Sequence, residues 1–491
     1  MRPEQNPAVE MADLPPTISA NPPPALVPAV QSPYSADPGF ALAPERYELR
    51  AGPVYDFALT RRHLFQALGA GLLVMALGPD SLAQESGRGG RSRGAPSDIG
   101  AWLHFGANGT VTAHTGKTEV GQNIRTSLAQ AVAEELRIPV SSVTLVMADT
   151  DLTPYDMGTF GSRTTPTMAP ILHRAAAAAR EAFIALAADE WKVERDALTA
   201  ANGKVSHGPT GRELGYGQLL KGQKLTREIP DAIKETPRTE WTVAGTSAPK
   251  ADGRNFVTGR HQYTSDIRRD GMVYGRVVRA PGWNGKLRSA ETAAAAALPG
   301  VTVVRDGAFL GVTAPTSDAA AKAADLIKAE WDLPAPASED ALWETLRPKQ
   351  AAAAPAPPGS GAHLEATYNI AYIAHAPLEP RAAVAEWQGD RLTVWTGTQR
   401  PFGVRGELAQ AFGIPETSVR VITPDTGSGY GGKHTGEAAV EAARLAKGAG
   451  KPVKLVWTRE EEFTWAYFRP AGVIEVSGAA GPDGQIGRAH V

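Results

Sequence analysis

One phrase occurs twice in this chain, and its repetition limits the folds that the chain can adopt. Residues 128–150 have the sequence LAQAVAEELRIPVSSVTLVMADT, and residues 408–426 have LAQAFGIPETSVRVITPDT. In the first copy, apolar residues recur at every fourth position, as in a helix, and the segment after Ile-Pro alternates like a strand. A strand-like run also precedes each helix. We therefore predict a duplicated strand, helix, strand unit over residues 111–149 and 391–425.

Such units bury their apolar faces against each other, so we expect both copies to pack together as one α/β unit. The stretch between them contains short strand-like runs broken by Gly, Pro and Asp, which is typical of a separate, mostly β domain. The predicted divisions are a disordered extension (1–59), an export-signal-like segment (60–84), a linker (85–97), the first part of the α/β unit (98–235), an inserted domain (236–345), a second linker (346–363), the second part of the α/β unit (364–485) and a non-native tail (486–491).

Composition excludes several classes of protein. The chain has 50 basic and 52 acidic residues, so it carries no basic field for nucleic acid. It contains no cysteine, which excludes disulfides, thiolate zinc sites, a cysteine nucleophile and iron-sulfur ligation. A small-molecule site is favoured, and any redox centre has to be held without cysteine.

The segment TRRHLFQALGAGLLVMALGPDSLAQ resembles a twin-arginine export signal. Arg61 and Arg62 precede an apolar run that ends near small residues. The run is shorter than the ~20 residues that a membrane-spanning helix needs. We expect export to the bacterial periplasm and no stable membrane span; the alternative is a buried N-terminal helix.

The glycine-rich loop Gly427–Lys433 satisfies two anion-binding motifs at once. A P-loop needs a hydroxyl after the lysine, but His434 follows it. A dinucleotide loop follows its strand directly, but the residues 424–426 intervene. A third interpretation is a tight turn that packs a helix on a sheet. On the residues alone these alternatives stay open.

Five motifs in order carry a resemblance: GKTEVGQNIRTSLAQAVAEEL, DTDLTPYDMGTFGSRTTP, AHAPLEPRAAVAEW, GTQRPF and GSGYGGK. Together they resemble the molybdopterin-binding large subunit of the xanthine dehydrogenase/aldehyde oxidase family, in the order of the isoquinoline 1-oxidoreductase beta-subunit type. The resemblance spans roughly residues 98–485. It implies an α+β fold, with a molybdopterin-binding α/β domain of duplicated units and an inserted α/β hammerhead domain over 236–345.

The resemblance also implies roles for individual residues. Gln399 matches the glutamine that donates to an oxo ligand of molybdenum, and it is named as catalytic together with Tyr430, where the family usually has phenylalanine. His434 stands where purine-oxidising members have a substrate-binding glutamate, and Arg469 matches a substrate-orienting arginine. The implied cofactor-binding residues are Gly121, Gln122, Gly161, Ser162, Arg163, Thr164, Gln399, Gly429, Tyr430, Gly431 and Gly432.

Each of these roles has a structural alternative. The glycine turns could be ordinary strand-to-helix connections, Gln399 could bond nearby backbone, and Arg469 could lie on the surface or satisfy the core. Glu379 and Arg381 are assigned no catalytic role. The metal would be held by the pterin dithiolene, so no protein ligand to molybdenum is expected.

By resemblance, the function is oxidation of an N-heteroaromatic compound or an aldehyde with water as the oxygen source. The implied cofactor is molybdopterin with molybdenum, in the form of molybdopterin cytosine dinucleotide. Electrons would pass to a small iron-sulfur subunit and from there to an acceptor such as a cytochrome c. The rival hypotheses are a nucleotide-binding protein that uses Gly427–Lys433 and a non-catalytic homologue with a degenerate site.

The C-terminal end carries a separate expectation. In the family, the general base is a glutamate in a glycine-glutamate pair near the C-terminus, and the end of this sequence has no such pair. The last six residues, IGRAHV, match the translation of a common sequencing adapter. We expect an inactive, C-terminally truncated fragment.

Overall fold

The computed structural model describes residues 96–335, 338–347 and 363–481, and the backbone of residues 486–490. The predicted disordered extension, the export segment and most of both linkers lie outside the described residues. Within the described part of the chain, no helix is long and apolar enough to span a membrane.

Helices and strands are mixed along the chain, as the predicted α+β class requires. The helices are α1 (Ile124–Leu136), α2 (Thr164–Trp191), α3 (Tyr216–Leu219), α4 (Gly253–Val257), α5 (Ala293–Ala296), α6 (Ser317–Asp325), α7 (Glu339–Leu346), α8 (Pro401–Phe412), α9 (Glu437–Ala449) and α10 (Arg459–Thr464). The strands are β1 (Leu103–Phe105), β2 (Val111–Thr115), β3 (Val143–Met147), β4 (Leu198–Ala201), β5 (Lys204–His207), β6 (Arg212–Gly215), β7 (Val273–Val277), β8 (Lys286–Glu291), β9 (Thr302–Asp306), β10 (Phe309–Ala314), β11 (Lys328–Asp332), β12 (His363–Ile370), β13 (Ala382–Gln388), β14 (Arg391–Thr396), β15 (Val419–Ile422), β16 (Val453–Val456), β17 (Gly472–Ala480) and β18 (Ile486–His490).

The first copy of the repeat is a strand, helix, strand unit, as predicted. Strands β2 and β3 are parallel neighbours, and α1 connects them. Leu128, Val132 and Leu136 of α1 are buried in the core, where their helical spacing places them on one face. The helix ends where Arg137 takes a left-handed conformation (φ 53°), and the 3₁₀ turn Val140–Ser142 leads into β3.

The second copy repeats this arrangement. Strands β14 and β15 are parallel, and α8 connects them. Pro401 starts α8, a position where the missing N–H would have no helical partner anyway. Gly413 (φ 62°) ends the helix, and the 3₁₀ turn Glu416–Ser418 leads into β15.

The two copies meet at the ends of β3 and β15. Thr150 N–H donates to the Val421 carbonyl and Thr423 N–H to the Ala148 carbonyl, both at 3.0 Å. Asp149 is paired with Ile422 in the same bridge. Because parallel strands end at one edge of a sheet, the loops that lead from β2 into α1 and from β14 into α8 come together here.

The middle of the chain shares a sheet with the second copy. The strand order is β15-β14-β13-β16-β7-β10-β9, and β7, β9 and β10 belong to the predicted inserted domain. The joining pair is parallel, with Val453 opposite Val273, and both side chains are buried in one core with Leu445. The sheet crosses the predicted domain boundary because apolar side chains from both predicted domains pack into one core. The domain boundaries themselves stay a prediction.

Candidate functional site

A cavity of about 1520 Å³ lies where the loops of both copies converge. Eleven of the thirteen residues predicted for the site line it, and they come from four separate stretches of sequence. They are Gly121, Gln122, Gly161, Ser162, Arg163, Thr164, Gln399, Gly429, Tyr430, Gly431 and His434. The structure therefore brings these residues together around one space.

The turn before α1 is organised by a carboxylate that the sequence analysis did not single out. Glu119 is buried, and its Oε1 accepts from the N–H groups of Gly121 (2.8 Å) and Asn123 (3.0 Å), while Oε2 accepts from Arg125 N–H (3.0 Å). A carboxylate in this place satisfies the helix N-terminus and favours its dipole. The Gly121 N–H is therefore already used within the chain. Glu119 stands four residues before Asn123, the residue preceding α1, and that spacing was the signal for this role.

Gln122 bonds within its own turn. Its Oε1 accepts from Val120 N–H at 2.6 Å, and its Nε2 donates to the Thr118 carbonyl at 3.0 Å. The side chain braces this turn, while its exposed surface faces the cavity. A cofactor contact by Gln122 stays a prediction.

The turn before α2 takes a conformation that favours glycine. Gly158 (φ 135°), Gly161 (φ 61°) and Ser162 (φ 53°) all have positive φ. The 28-residue helix α2 starts at Thr164 without a side-chain cap from the described residues. Thr164 and Thr165 line the cavity, so their two backbone N–H groups are the donors available at this helix start; Pro166, the third helical residue, has no N–H. Free N–H groups at a helix N-terminus can bind an anion.

A buried ion pair supports this turn from behind. Lys117 Nζ lies 2.9 Å from Asp156 and donates to the Gly158 carbonyl at 2.7 Å. Thr118 N–H donates to the Thr159 hydroxyl at 2.9 Å. The turns before α1 and α2 are thus held to each other by contacts that do not depend on a ligand.

Gln399 joins three loops. Its Nε2 donates to the Thr159 carbonyl at 2.8 Å, and its Oε1 accepts from Gly431 N–H at 2.9 Å. The side chain is 4% exposed. A glutamine amide has a second N–H hydrogen, which remains for a ligand in the cavity. The structure thus shows the backbone-bonding alternative, and the predicted donor role toward a ligand stays a prediction.

The glycine loop approaches Gln399 too closely for a side chain. A Cβ on Gly429 would lie 2.6 Å from Gln399 Oε1. Ser428, Tyr430 and Gly431 have φ of 78°, 56° and 95°. Glycine at 429 therefore permits a backbone contact with a buried amide that any other residue would disrupt.

The same loop does not have the geometry of a nucleotide-binding loop. Lys433 is the lysine that would have to reach a phosphate. It is 1% exposed and pairs with Glu379 at 3.3 Å, and it is not among the described residues that line the cavity. Residues 423–436 separate β15 from α9, so the loop is also much longer than a dinucleotide turn. Both nucleotide interpretations are disfavoured.

The cavity wall near His434 is kept uncharged by its surroundings. Burial lowers the pKa of the His434 imidazole, and the positive charges of Arg400 and His375 act in the same direction. The ring packs edge-on against Phe160, with the ring centres 5.4 Å apart. His434 Nε2 is buried with no hydrogen-bond partner in the described part of the chain. This nitrogen is therefore available for a hydrogen bond only if a ligand or a small movement of the ring brings a partner to it.

Two predicted residues lie elsewhere than expected. Arg469 pairs through its backbone with Ile373, and its Nη2 donates to the Ala371 carbonyl at 2.7 Å. It is not among the described residues that line the cavity. Gly432 packs against His375, where a Cβ would come within 2.8 Å of the His375 side chain. Neither residue is therefore among those that line the cavity, and their predicted substrate and cofactor contacts stay predictions.

The middle segment adds residues that sequence reasoning missed. Lys250, Phe256 and Tyr263 line the cavity, and this segment is anchored to α1 by Ala251 N–H, which donates to the Thr126 hydroxyl at 2.8 Å. Burial raises the pKa of Tyr263, and the charge of Glu379 adds to the effect. The range carries no motif, so only its packing identifies it.

These residues fit a pterin cofactor with a phosphate. The cavity is wide, glycine backbone at residues 121, 161, 429 and 431 forms part of its wall, and the start of α2, without a side-chain cap among the described residues, lies at its edge. Across the described residues, no group of three or more His, Asp or Glu side chains could hold a metal ion.

Comparisons with known proteins agree with this arrangement. Two models described as molybdopterin cofactor-binding domains match the chain, one over residues 66–261 and one over residues 352–491. Together the matched ranges take in more than half of the chain.

Three curated proteins are similar over most of this chain. A nicotinate dehydrogenase subunit of Pseudomonas putida is 29% identical over 79% of this chain and 34% of that protein. The membrane-bound aldehyde dehydrogenase [pyrroloquinoline-quinone] of Gluconacetobacter polyoxogenes is 27% identical over 85% of this chain and 58% of that protein. The beta subunit of isoquinoline 1-oxidoreductase of Brevundimonas diminuta is 26% identical over 77% of this chain and 56% of that protein.

The chain thus spans about a third to three fifths of the length of these relatives. The matched domains, the order of the motifs and the cavity formed by both copies of the repeat agree with one another. The chain belongs to the xanthine dehydrogenase family of molybdopterin-binding large subunits.

Proposed function

We propose that the chain forms the cofactor-binding part of a molybdenum hydroxylase that oxidises an N-heteroaromatic compound or an aldehyde, with water as the oxygen source. The observation that carries the proposal is the convergence of Gln399, the Gly429–Gly431 backbone and the start of α2 on one cavity. The names of the three relatives, which refer to nicotinate, isoquinoline and aldehydes, support the substrate classes.

The chain's own residues would bind and orient the cofactor. The start of α2 would receive phosphate oxygens on its N–H groups. Gln399 would donate its remaining N–H hydrogen, and the Gly429–Gly431 backbone would leave room for close approach. When bound, the cofactor supplies two-electron redox chemistry that no side chain of the chain offers.

The surroundings of His434 favour a neutral substrate group at this part of the cavity. The lowered pKa of His434 keeps its imidazole uncharged at pH 7. A neutral ring nitrogen can donate to or accept from a heteroarene, depending on its tautomer. Phe160 beside it offers an aromatic surface. A purine anion would find no carboxylate or cation at position 434.

Several finer points belong to the same proposal. The cofactor is the cytosine dinucleotide form, and the inserted segment 236–345 is a hammerhead domain. Electrons leave through a separate iron-sulfur subunit toward an acceptor such as a cytochrome c, because the chain has no cysteine to ligate a cluster. Arg61 and Arg62 direct export to the periplasm, and replacing both with lysine should retain the protein in the cytoplasm.

The test is the cofactor content of the purified 491-residue chain. We expect molybdenum, a fluorescent pterin after oxidative release, and cytidine monophosphate, in equal amounts. Pyrroloquinoline quinone in place of molybdenum would overturn the proposal in favour of the cofactor that one relative's name carries. Tight binding of ATP or NAD with no molybdenum would favour a nucleotide-binding protein, and the absence of all these groups a non-catalytic homologue.

A further inference from the structure

An ion pair between Glu379 and Lys433 lies against the glycine loop; Lys433 is buried, and Glu379 is half-buried at the edge of the cavity. Glu379 Oε2 accepts from Gly427 N–H at 2.7 Å, and Glu379 N–H donates to the Gly427 carbonyl at 3.0 Å. The next residue on each side adds a third bond, from Leu378 N–H to the Ser428 hydroxyl at 3.0 Å. Three hydrogen bonds thus hold the start of the glycine loop to residues 378–379.

Lys433 holds the other end of the loop to the same carboxylate. Its Nζ lies 3.3 Å from Glu379 Oε2, and the side chain is 1% exposed. Glu379 Oε1 is buried and has no hydrogen-bond partner in the described part of the chain. Each charge therefore depends on the other, because a buried charge that loses its partner is strongly destabilising.

The pair also reaches Gln399 through the backbone. The Lys433 carbonyl accepts from Gln399 N–H at 2.8 Å and from the Thr398 hydroxyl at 3.0 Å. Gln399 N–H and the Thr398 hydroxyl thus fix the turn from which the Gln399 side chain extends to Thr159 and Gly431. A displacement of Lys433 would move both the glycine loop and this turn.

We propose that Glu379 and Lys433 are positioning residues, an ion pair that sets the distance between the glycine loop and the Gln399 side chain. The proposal deepens the proposed function, on which the meaning of that distance rests. Neither charge is assigned a contact with the ligand: Lys433 is enclosed, and although Glu379 lines the cavity, its Oε2 is already shared by Gly427 and Lys433 and its Oε1 is buried.

The test is amide hydrogen exchange of the full chain in Glu379→Gln, Lys433→Met and the double variant. Glu379→Gln keeps an acceptor for Gly427 but leaves Lys433 unpaired. We expect each single variant to exchange about tenfold faster in residues 397–400 and 427–433, with β13 unchanged, since this is local opening. The double variant removes both charges and should return to within about threefold of the parent chain.

Two controls separate positioning from general stability. Glu441→Gln breaks the ion pair with Arg279 (2.6 Å), neither member of which is among the described residues that line the cavity. Glu213→Gln breaks an exposed ion pair with Lys204. Glu441→Gln should lower the urea midpoint without selective loosening of the two loops, and Glu213→Gln should change neither readout.

Equal exchange in the single variants and the parent chain would overturn the inference, as would faster exchange spread evenly over all strands. A double variant that exchanges faster than either single variant would also overturn it. Exchange is measured without reference to molybdenum. If the parent chain lacks molybdenum but the single variants show the expected loosening relative to it, the proposed function is contradicted and the positioning role stays intact.

Discussion

The two copies of the strand, helix, strand unit have the same elements but use the loop before the helix differently. In the first copy, residues 116–123 connect β2 to α1, and the buried Glu119 takes three backbone N–H groups at the start of the helix. In the second copy, residues 397–400 make the connection, and Gln399 extends away from its helix to two other loops.

The difference shows how a duplicated unit can yield one asymmetric site. The longer loop has room for a carboxylate that accepts the N–H groups of its own helix start, so fewer of its backbone donors remain for a ligand. The shorter loop places an amide in the cavity wall, where it links residues 159 and 431. We expect the first loop to affect mainly stability and the second to affect mainly the site.

The largest effect is expected for Glu119→Ala. The change leaves the N–H groups of Gly121, Asn123 and Arg125 without their acceptor, and we expect a loss of about 4 kcal/mol in the free energy of unfolding. Urea unfolding followed by circular dichroism measures it. Glu416→Ala, which removes an exposed partner of Arg405, is the matched control and should cost less than about 1 kcal/mol. Equal losses in both variants would show that the hydrogen bonds of Glu119 to the start of α1 do not contribute to the free energy of unfolding as expected.

Gln399→Ala should cost about 2 kcal/mol, because two buried hydrogen bonds and some packing are lost. It should also lower the molybdenum content of the purified chain. Gln122→Ala is the counterpart in the first copy; its bonds stay within one exposed turn, so we expect less than about 1 kcal/mol. The comparison of the loops fails if Gln122→Ala reduces molybdenum as much as Gln399→Ala.

The pH dependence of stability should reflect His434. Its pKa in the folded chain is lowered from the ordinary value of 6.5 by burial, so the unfolded chain binds a proton first as the pH falls. Stability is therefore lost below about pH 6.5, with a slope of less than about 1.4 kcal/mol per pH unit for one group. His375 and His114 are shifted in the same direction. His434→Gln should reduce the slope measured by urea unfolding between about pH 7 and pH 5, and an unchanged slope would assign it to the other two histidines.

The smallest effect is expected for Tyr430→Phe, which restores the residue usual in the family. Tyr430 is 68% exposed, so the free energy of unfolding should stay within about 0.5 kcal/mol of the parent value. Gly431→Ala is the contrasting change in the same loop; its φ of 95° is strained for alanine and should cost about 1 to 3 kcal/mol. A larger loss in Tyr430→Phe than in Gly431→Ala would give the hydroxyl a structural role.

Much of the fold could be predicted from local pattern. The helical spacing in α1, the Ile-Pro turns, Pro401 at the start of α8 and Gly413 at its end each act within a few residues, so they can be recognised without knowing the fold. The site residues could be proposed only because five motifs occur in the family's order, and eleven of the thirteen line the cavity.

The amino-acid order was sufficient to define the two repeated units and the places where glycine allows close approach, since these depend on the spacing of apolar residues and on local backbone freedom. The destinations of long side chains became known only from the folded chain. Lys433 pairs with Glu379, 54 residues away in sequence, and Arg469 forms hydrogen bonds with residues 371 and 373. The pairing of β7 with β16 across the predicted boundary is of the same kind. Such outcomes depend on which charges and apolar surfaces meet after folding, and neighbours along the chain carry no information about that.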